Sequence, residues 1–289
     1  MKKVLVTGGL GFIGSHLVDH LVDVCGHRVT VIDNLCSESS SRDHFRNDVE
    51  YWVDDVRNLN SYTYKDYDFD LVYHLAALAR IQPSFENPLK YLDADIMGTS
   101  HVCEFARNRG SNLVYAGSSS AHSGPMLNPY AFAKFTGEQV CELYNKVYGM
   151  STVTARFFNV YGFRQPTRGA HATVVGIFER QASAGAPLTV TGTGTQRRDF
   201  THVSDIVKGI AVLGAQAWSA EIFQLGTGRN YAINELANMF GGEIEYVPDR
   251  PGEAYETLAN FSEMRERTGW QPQVVLEDYI LSWKNKNLP

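Results

Sequence analysis

The chain has 289 residues, of which 44% are hydrophobic and 20% charged, an ordinary globular composition that excludes a fibrous or disordered chain. Its 26 basic and 32 acidic residues give a net charge of −6, which argues against general nucleic-acid binding because that requires a basic surface. Mean hydropathy is −0.24, and no apolar run approaches the roughly 20 residues needed to span a bilayer, so no membrane partner is expected.

Met1-Lys2-Lys3 leads directly into a strand at Val4-Leu5-Val6. Glycines interrupt that apolar stretch at once, so it does not read as a signal peptide, and a cytoplasmic location is expected. A helix over about 12–25 follows, then a strand at Val29-Thr30-Val31-Ile32 and a polar loop from Ser37 to Ser41. A third strand ends at Asp55-Val56 and a fourth runs through Leu71-Val72-Tyr73. The spacing then predicts a helix over about 89–109, a strand at Leu113-Val114-Tyr115, a helix over about 130–148 and a strand near 152–158. The strands are short and apolar on both faces, as in a buried parallel sheet. Alternation with helices predicts an α/β fold, a doubly wound parallel sheet of Rossmann type.

The pattern changes after residue 160. Strands at Leu188-Thr189-Val190, Ile222-Phe223-Gln224 and Ile244-Glu245-Tyr246 alternate with helices near 172–184, 203–216, 234–240 and 276–286. Glycine, proline and arginine become dense. The expected division is 1–160 for a nucleotide-binding domain and 161–289 for a smaller substrate lobe, with one strand and one helix of the second part crossing back. Cys25, Cys36, Cys103 and Cys141 have no metal-site spacing and suit a reducing compartment. His16 and His20 lie four apart, but no third ligand is near in sequence, so no metal is expected.

Thr7-Gly8-Gly9-Leu10-Gly11-Phe12-Ile13-Gly14 follows the first strand and opens a helix. Gly8, Gly11 and Gly14 permit a tight turn, close approach to a pyrophosphate and close helix–sheet packing. The helix start, with Phe12 and Ile13, offers N–H groups and a positive dipole end to phosphates. Asp33 ends the second strand 19 residues after Gly14, with Asn34 behind it. A carboxylate there accepts from ribose hydroxyls and repels a 2′-phosphate, which favours NAD over NADP. Asp55 and Val56 fit the adenine side; a helix cap is the alternative for Asp55. Leu75, Ala76 and Ala77 close the fourth strand, where small side chains let backbone lie along the cofactor or simply pack closely.

Tyr130-Ala131-Phe132-Ala133-Lys134 opens the helix over 130–148, and the i, i+4 spacing puts Tyr130 and Lys134 on one face. A phenol titrates near 10 and is a poor base at neutral pH. A nearby ammonium and the positive nicotinamide ring favour the tyrosinate. Ser118, Ser119 and Ser120 close the preceding strand, where a hydroxyl could bridge substrate and tyrosine.

The motifs TGGLGFIG, HLAA, SSSA, YAFAK, RFFNVYG and RRDFTHV occur in this order. Together they resemble the extended short-chain dehydrogenase/reductases, and within them the NAD-dependent nucleotide-sugar epimerases, dehydratases and decarboxylases. By that resemblance Tyr130 is the catalytic base and Lys134 its partner. Ser120 is the serine that hydrogen-bonds the sugar hydroxyl being oxidised. Asn159 contacts the diphosphate, Arg198 and Arg250 clamp it, and Glu253 holds the uridine ribose. Guanidinium forks suit phosphate oxygens. The resemblance further implies a homodimer, since the family commonly pairs the helices matching 89–109 and 130–148 into a four-helix bundle.

The resemblance also bears on the reaction. The dehydratase and decarboxylase branches carry acids directly after the serine; here Ala121 and His122 follow Ser120. A 4-epimerase needs no second acid, so 4-epimerisation of a UDP-hexose or UDP-N-acetylhexosamine is the expected activity. The alternatives are a dehydratase or decarboxylase that recruits His122, and a binding protein with little turnover. His122 is expected at the rim of the sugar site, touching the sugar or solvent; the alternative is a proton-transfer group. The link from Ser120 to Tyr130 is much shorter than in the family, which implies a shallower pocket or one walled from elsewhere. Asp95 stands where the family carries an asparagine near the cofactor; the alternative is that it simply faces solvent. Thr257, seven positions after Arg250, replaces a bulky tyrosine of the hexose-restricted epimerases and leaves room for an N-acetyl group. The alternative is that Tyr255 fills that space.

Overall fold

The computed structural model describes residues 1–37 and 40–288, so residues 38 and 39 of the expected loop 37–41 lie outside it. In chain order the strands are β1 (Lys3–Thr7), β2 (Arg28–Ile32), β3 (Glu50–Trp52), β4 (Leu71–His74), β5 (Asn112–Ser118) and β6 (Thr152–Phe157). The second half adds β7 (Val160–Tyr161), β8 (Leu188–Thr191), β9 (Arg197–Asp199), β10 (Thr201–His202), β11 (Ser219–Leu225), β12 (Asn230–Ala232) and β13 (Ile244–Val247). The main sheet is parallel, in the order β11-β6-β5-β4-β1-β2-β3. The chain runs outward from β1 in one direction and from β4 in the other. That reversal opens a crevice beyond the carboxyl ends of the strands, where doubly wound sheets bind ligands.

The helices are α1 (Phe12–Asp23), α2 (Ile81–Glu86), α3 (Pro88–Tyr91), α4 (Gly98–Arg109), α5 (Ser119–Ser123) and α6 (Pro129–Tyr148). They continue with α7 (Val174–Ser183), α8 (Val203–Leu213), α9 (Ile233–Phe240), α10 (Ser262–Thr268) and α11 (Leu276–Asn287). One side of the sheet is covered by α1 and α8, where Leu17, Leu21, Ile206 and Ile210 are fully buried against β1 and β11. The other side is covered by α4 and α6, with Phe105, Val102 and Cys141 packed on Tyr115 and Val72. A separate core in the second half joins Phe178, Leu236, Phe240 and Ile280. Thus β11 and α8, although late in the sequence, belong to the main sheet layer.

The helix expected over 89–109 runs without a gap from Pro88 to Arg109, but its turns are not uniform. A π-helical stretch, Leu92–Met97, separates α3 from α4. From the first turn of α4 the Thr99 hydroxyl donates back to the Asp95 carbonyl at 2.5 Å, and a side chain that bonds four residues back in this way perturbs the regular ladder. The third strand is also shorter than expected and stops at Trp52. Asp55 therefore lies beyond it and caps a short 3-10 turn, accepting the Arg57 N–H at 3.0 Å. No helix among the described residues is long and apolar enough to cross a membrane.

Candidate active site

A cavity of about 710 Å³ occupies the crevice. At one end lies the glycine loop. Gly8 adopts φ +70°, and a Cβ on it would stand 2.8 Å from the Ala76 nitrogen. A Cβ on Gly14 would stand 2.1 Å from the Gly8 carbonyl oxygen, so the turn from β1 into α1 closes only with glycine at both places. Gly11, Phe12 and Ile13 line the cavity at the start of α1. On the facing side, the Thr7 hydroxyl accepts the Ala76 N–H at 3.1 Å and pairs with His74 Nδ1 at 2.8 Å. This fixes Leu75, Ala76 and Ala77 along the cavity wall.

Asp33 is buried at the end of β2. Its carboxylate accepts the Leu10 N–H at 3.0 Å and the Leu35 N–H at 2.9 Å, which leaves further lone pairs for ribose hydroxyls. Asn34 donates to Asp55 at 2.9 Å. The Arg57 guanidinium beside Asp55 holds that carboxyl down at about 2. Asp55 and Val56 line the same end. The close-approach glycines, the helix start and the fixed carboxylate fit the pyrophosphate and ribose of NAD.

Tyr130 and Lys134 come from the first turns of α6, whose start is capped by Asn128 through the Ala131 N–H at 2.7 Å. Lys134 is buried, and its Nζ donates to the Ala116 carbonyl at 3.0 Å. Burial pushes its ammonium down, while the carboxylate of Asp95 works in the opposite direction. Burial pushes the Tyr130 phenol up, and a hydrogen bond with the Ser118 side chain opposes that shift.

Of the three serines that close β5, Ser118 is thus the one whose side chain meets the tyrosine. Ser118 ends β5 and caps α5, accepting the Ser120 N–H at 3.1 Å. Ser120 lies within that turn and also lines the cavity. His122 takes the solvent side of the expected alternatives. It is exposed, it does not line the cavity, and its Nδ1 faces Arg156 at 3.4 Å. The physical reason is α5 itself: residues two apart on a helix point to different faces, so Ser120 and His122 cannot share one.

Asp95 does not face solvent, which removes that alternative. It is 1% exposed, and Oδ1 accepts the Leu78 N–H at 2.7 Å. The π-helical stretch turns it inward, under the cavity floor.

The substrate end is built by the second half. Arg198 is buried at the cavity wall, donates to the Tyr255 carbonyl at 3.2 Å and pairs with Glu253 at 3.1 Å. Asn159 donates to the Thr257 hydroxyl at 3.3 Å, and both line the cavity together with Arg250. Tyr255 is 66% exposed and does not line it. The short Ser120–Tyr130 link is compensated from elsewhere. Gln82 donates to the Pro251 carbonyl and Asn128 to the Gly252 carbonyl, each at 2.9 Å, so α2 and the 250–254 loop form the wall.

Arg80 was not singled out by sequence. It lines the cavity, with Nε donating to the His171 carbonyl at 2.9 Å. Its backbone adopts φ +103°, which costs a non-glycine residue on the order of 1–3 kcal/mol. The only sequence signal was a cation between an alanine and the apolar start of α2.

Comparison with known proteins shows the family of the chain. The sequence model of the NAD dependent epimerase/dehydratase family matches residues 4–226. A putative UDP-glucose 4-epimerase of Methanocaldococcus jannaschii is 33% identical over 98% of this chain and 99% of its own. UDP-glucuronic acid decarboxylase 1 of Xenopus tropicalis is 30% identical over 96% of this chain and 70% of its own. The crystal structure of UDP-glucose 4-epimerase from Thermotoga maritima, with UDP-glucose, superposes with a TM-score of 0.92 at 27% identity, covering 99% of this chain and all of that one.

Proposed function

The chain belongs to the NAD dependent epimerase/dehydratase family, and on that premise we propose that it inverts C4 of a UDP-linked sugar through a transient 4-keto sugar. Bound NAD supplies a hydride acceptor that also returns the hydride. Gly8, Gly11, Gly14 and Asp33 hold it. Tyr130 takes the proton of the C4 hydroxyl and gives it back. Its phenol is pushed up by burial, so it relies on the Ser118 bond and on the positive charges at the site to act near neutral pH. Lys134 is the nearby ammonium, and Ser118 and Ser120 position the reacting hydroxyl. Arg198 and Arg250 clamp the diphosphate, with Asn159 beside them, and Glu253 takes the uridine ribose.

One observation favours epimerisation over dehydration or decarboxylation. In segment 118–124 the cavity is lined by Ser118, Ser119, Ser120, Ser123 and Gly124, with no carboxyl or imidazole among them. The second acid or base that those other reactions use after the serine is not supplied there, and His122 faces away. Thr257 is small and Tyr255 lies outside, which supports room for an N-acetyl group at C2. We carry the same reading to assembly and infer a homodimer through α4 and α6.

The test is incubation with NAD and UDP-glucose or UDP-N-acetylglucosamine, followed by product separation. The C4 epimer is expected from both sugars, and Tyr130→Phe abolishes it while cofactor binding persists. A dehydrated or decarboxylated product assigns another branch. Binding without product makes the chain a nucleotide-sugar receptor.

A further inference from the structure

The structure assigns Arg80 as the specificity-determining residue of the sugar end, selecting a nucleotide-linked sugar that carries a carboxylate. The inference rests on the reading of this cavity as a nucleotide-sugar site. Four cations line the cavity: Lys134, Arg198, Arg250 and Arg80. Lys134 is tied to Ala116 and countered by Asp95, and Arg198 is paired with Glu253. Arg80 uses only Nε, on the His171 carbonyl, and forms no ion pair among the described residues. A guanidinium has five N–H donors. The two terminal nitrogens of Arg80 thus remain as a planar fork, and that shape matches a carboxylate bidentately.

Its location favours the sugar over the diphosphate. Tyr91, whose ring meets that of Tyr130 edge-on at 6.4 Å, donates its hydroxyl to the carbonyl of Ala79, the residue just before Arg80, so Arg80 enters the cavity on the side of Tyr130. Tyr130 works at C4, and in a hexuronic acid the carboxylate is borne by the neighbouring ring carbon. A cation beside the phenol is therefore within reach of that carboxylate. Neutral hydroxymethyl at the same place would leave the fork without an anion.

The position is also held deliberately by its surroundings. The Leu78 N–H is fixed by Asp95 at 2.7 Å, and the Ala79 carbonyl accepts from the Tyr91 hydroxyl at 3.1 Å. Those bonds secure the residues leading to Arg80, whose φ of +103° is a conformation that glycine would adopt freely. Strain retained at a cavity residue points to a role for its side chain.

The test is calorimetric titration of the NAD-loaded protein with UDP-glucuronate, UDP-glucose and UDP, on wild type, Arg80→Gln and Arg80→Gly. The glycine variant relieves the backbone, so it keeps the experiment informative if the glutamine variant folds poorly. Wild type is expected to bind UDP-glucuronate about tenfold or more tightly than UDP-glucose, as for a charge-assisted fork. That ratio should collapse to near one in the variants. No preference in wild type, or a preference that survives in the folded variants, overturns the assignment. Equal losses for both sugars and for UDP also overturn it, because Arg80 would then only support the wall. Product separation after incubation with the same sugars reads turnover independently, so tight uronate binding through Arg80 without C4 inversion would sink the epimerase reading alone. Epimerisation of neutral sugars without uronate preference would sink the Arg80 assignment alone.

Discussion

Asp95 is buried, and its Oδ2 has no hydrogen-bond partner among the described residues. Burial pushes its carboxyl up from 3.8 to about 6, with the Lys134 ammonium acting against the shift. The folded protein thus holds a proton that the unfolded chain releases between those two values. The resulting stabilisation is fully present below the unfolded value and is lost as pH rises through the folded one. Asp95→Asn keeps an acceptor for the Leu78 N–H and carries no charge. It is expected to be more stable than wild type by up to roughly 2–3 kcal/mol at about pH 8, with the gain gone near pH 4. Thermal unfolding at both pH values checks this; an equal gain at both would trace the effect to packing. Residues were legible in the sequence where their chemistry is local. Gly8, Gly14 and Asp33 follow from a strand, a tight turn and a helix start, and Tyr130 with Lys134 from one helical turn. Arg80 and the inward turn of Asp95 were not, because each depends on a backbone conformation set by distant contacts. Which of the three serines meets Tyr130, and which side of the rim His122 takes, were left open because both are decided by the facing of α5.

At the scale of elements, the 124–128 link shows how a short connection is made to serve two purposes. Asn128 caps α6 through Oδ1 and holds the Gly252 carbonyl through Nδ2. Asn128→Ala removes both, and the lost cap alone costs about 1 kcal/mol. Asn128→Asp keeps the cap acceptor but cannot donate to Gly252. Both variants are expected to raise the UDP-sugar KM severalfold with a smaller change in kcat, because the loop carrying Arg250 and Glu253 loses its tether. Only the alanine variant should also lower Tm. An unchanged KM in the aspartate variant would show that Gln82, through Pro251, holds the loop by itself. The parallel strands and the long helices were readable from apolar patterning. The π-helical stretch at 92–97 and the short strands β7, β9, β10 and β12 were not, since their pairing is decided by remote partners and not by local propensity.

The whole molecule leaves one apolar surface uncovered beside the active-site helices. On α6, Phe132, Leu143 and Val147 recur at helical spacing and are 37%, 53% and 60% exposed. Leu89 of α3 and Met97, just before α4, are also exposed, and α3 and α4 both pack against α6. The opposite faces of α4 and α6 are buried on the sheet, so this outer face is free to meet a second copy. Burying several large apolar side chains together contributes on the order of 1.5–3 kcal/mol for each one fully covered, and two-fold pairing would present the same helices from both chains. The expected solution mass is therefore twice the 32.3 kDa of the chain. Leu143→Glu combined with Val147→Glu should place like charges in the seam and give monomers, read by light scattering after gel filtration. Neither residue lines the cavity, so NAD binding by the monomer separates lost pairing from lost folding. A wild-type mass equal to one chain would remove the four-helix arrangement from the proposal, and a dimer that survives both glutamates would move the interface to another face.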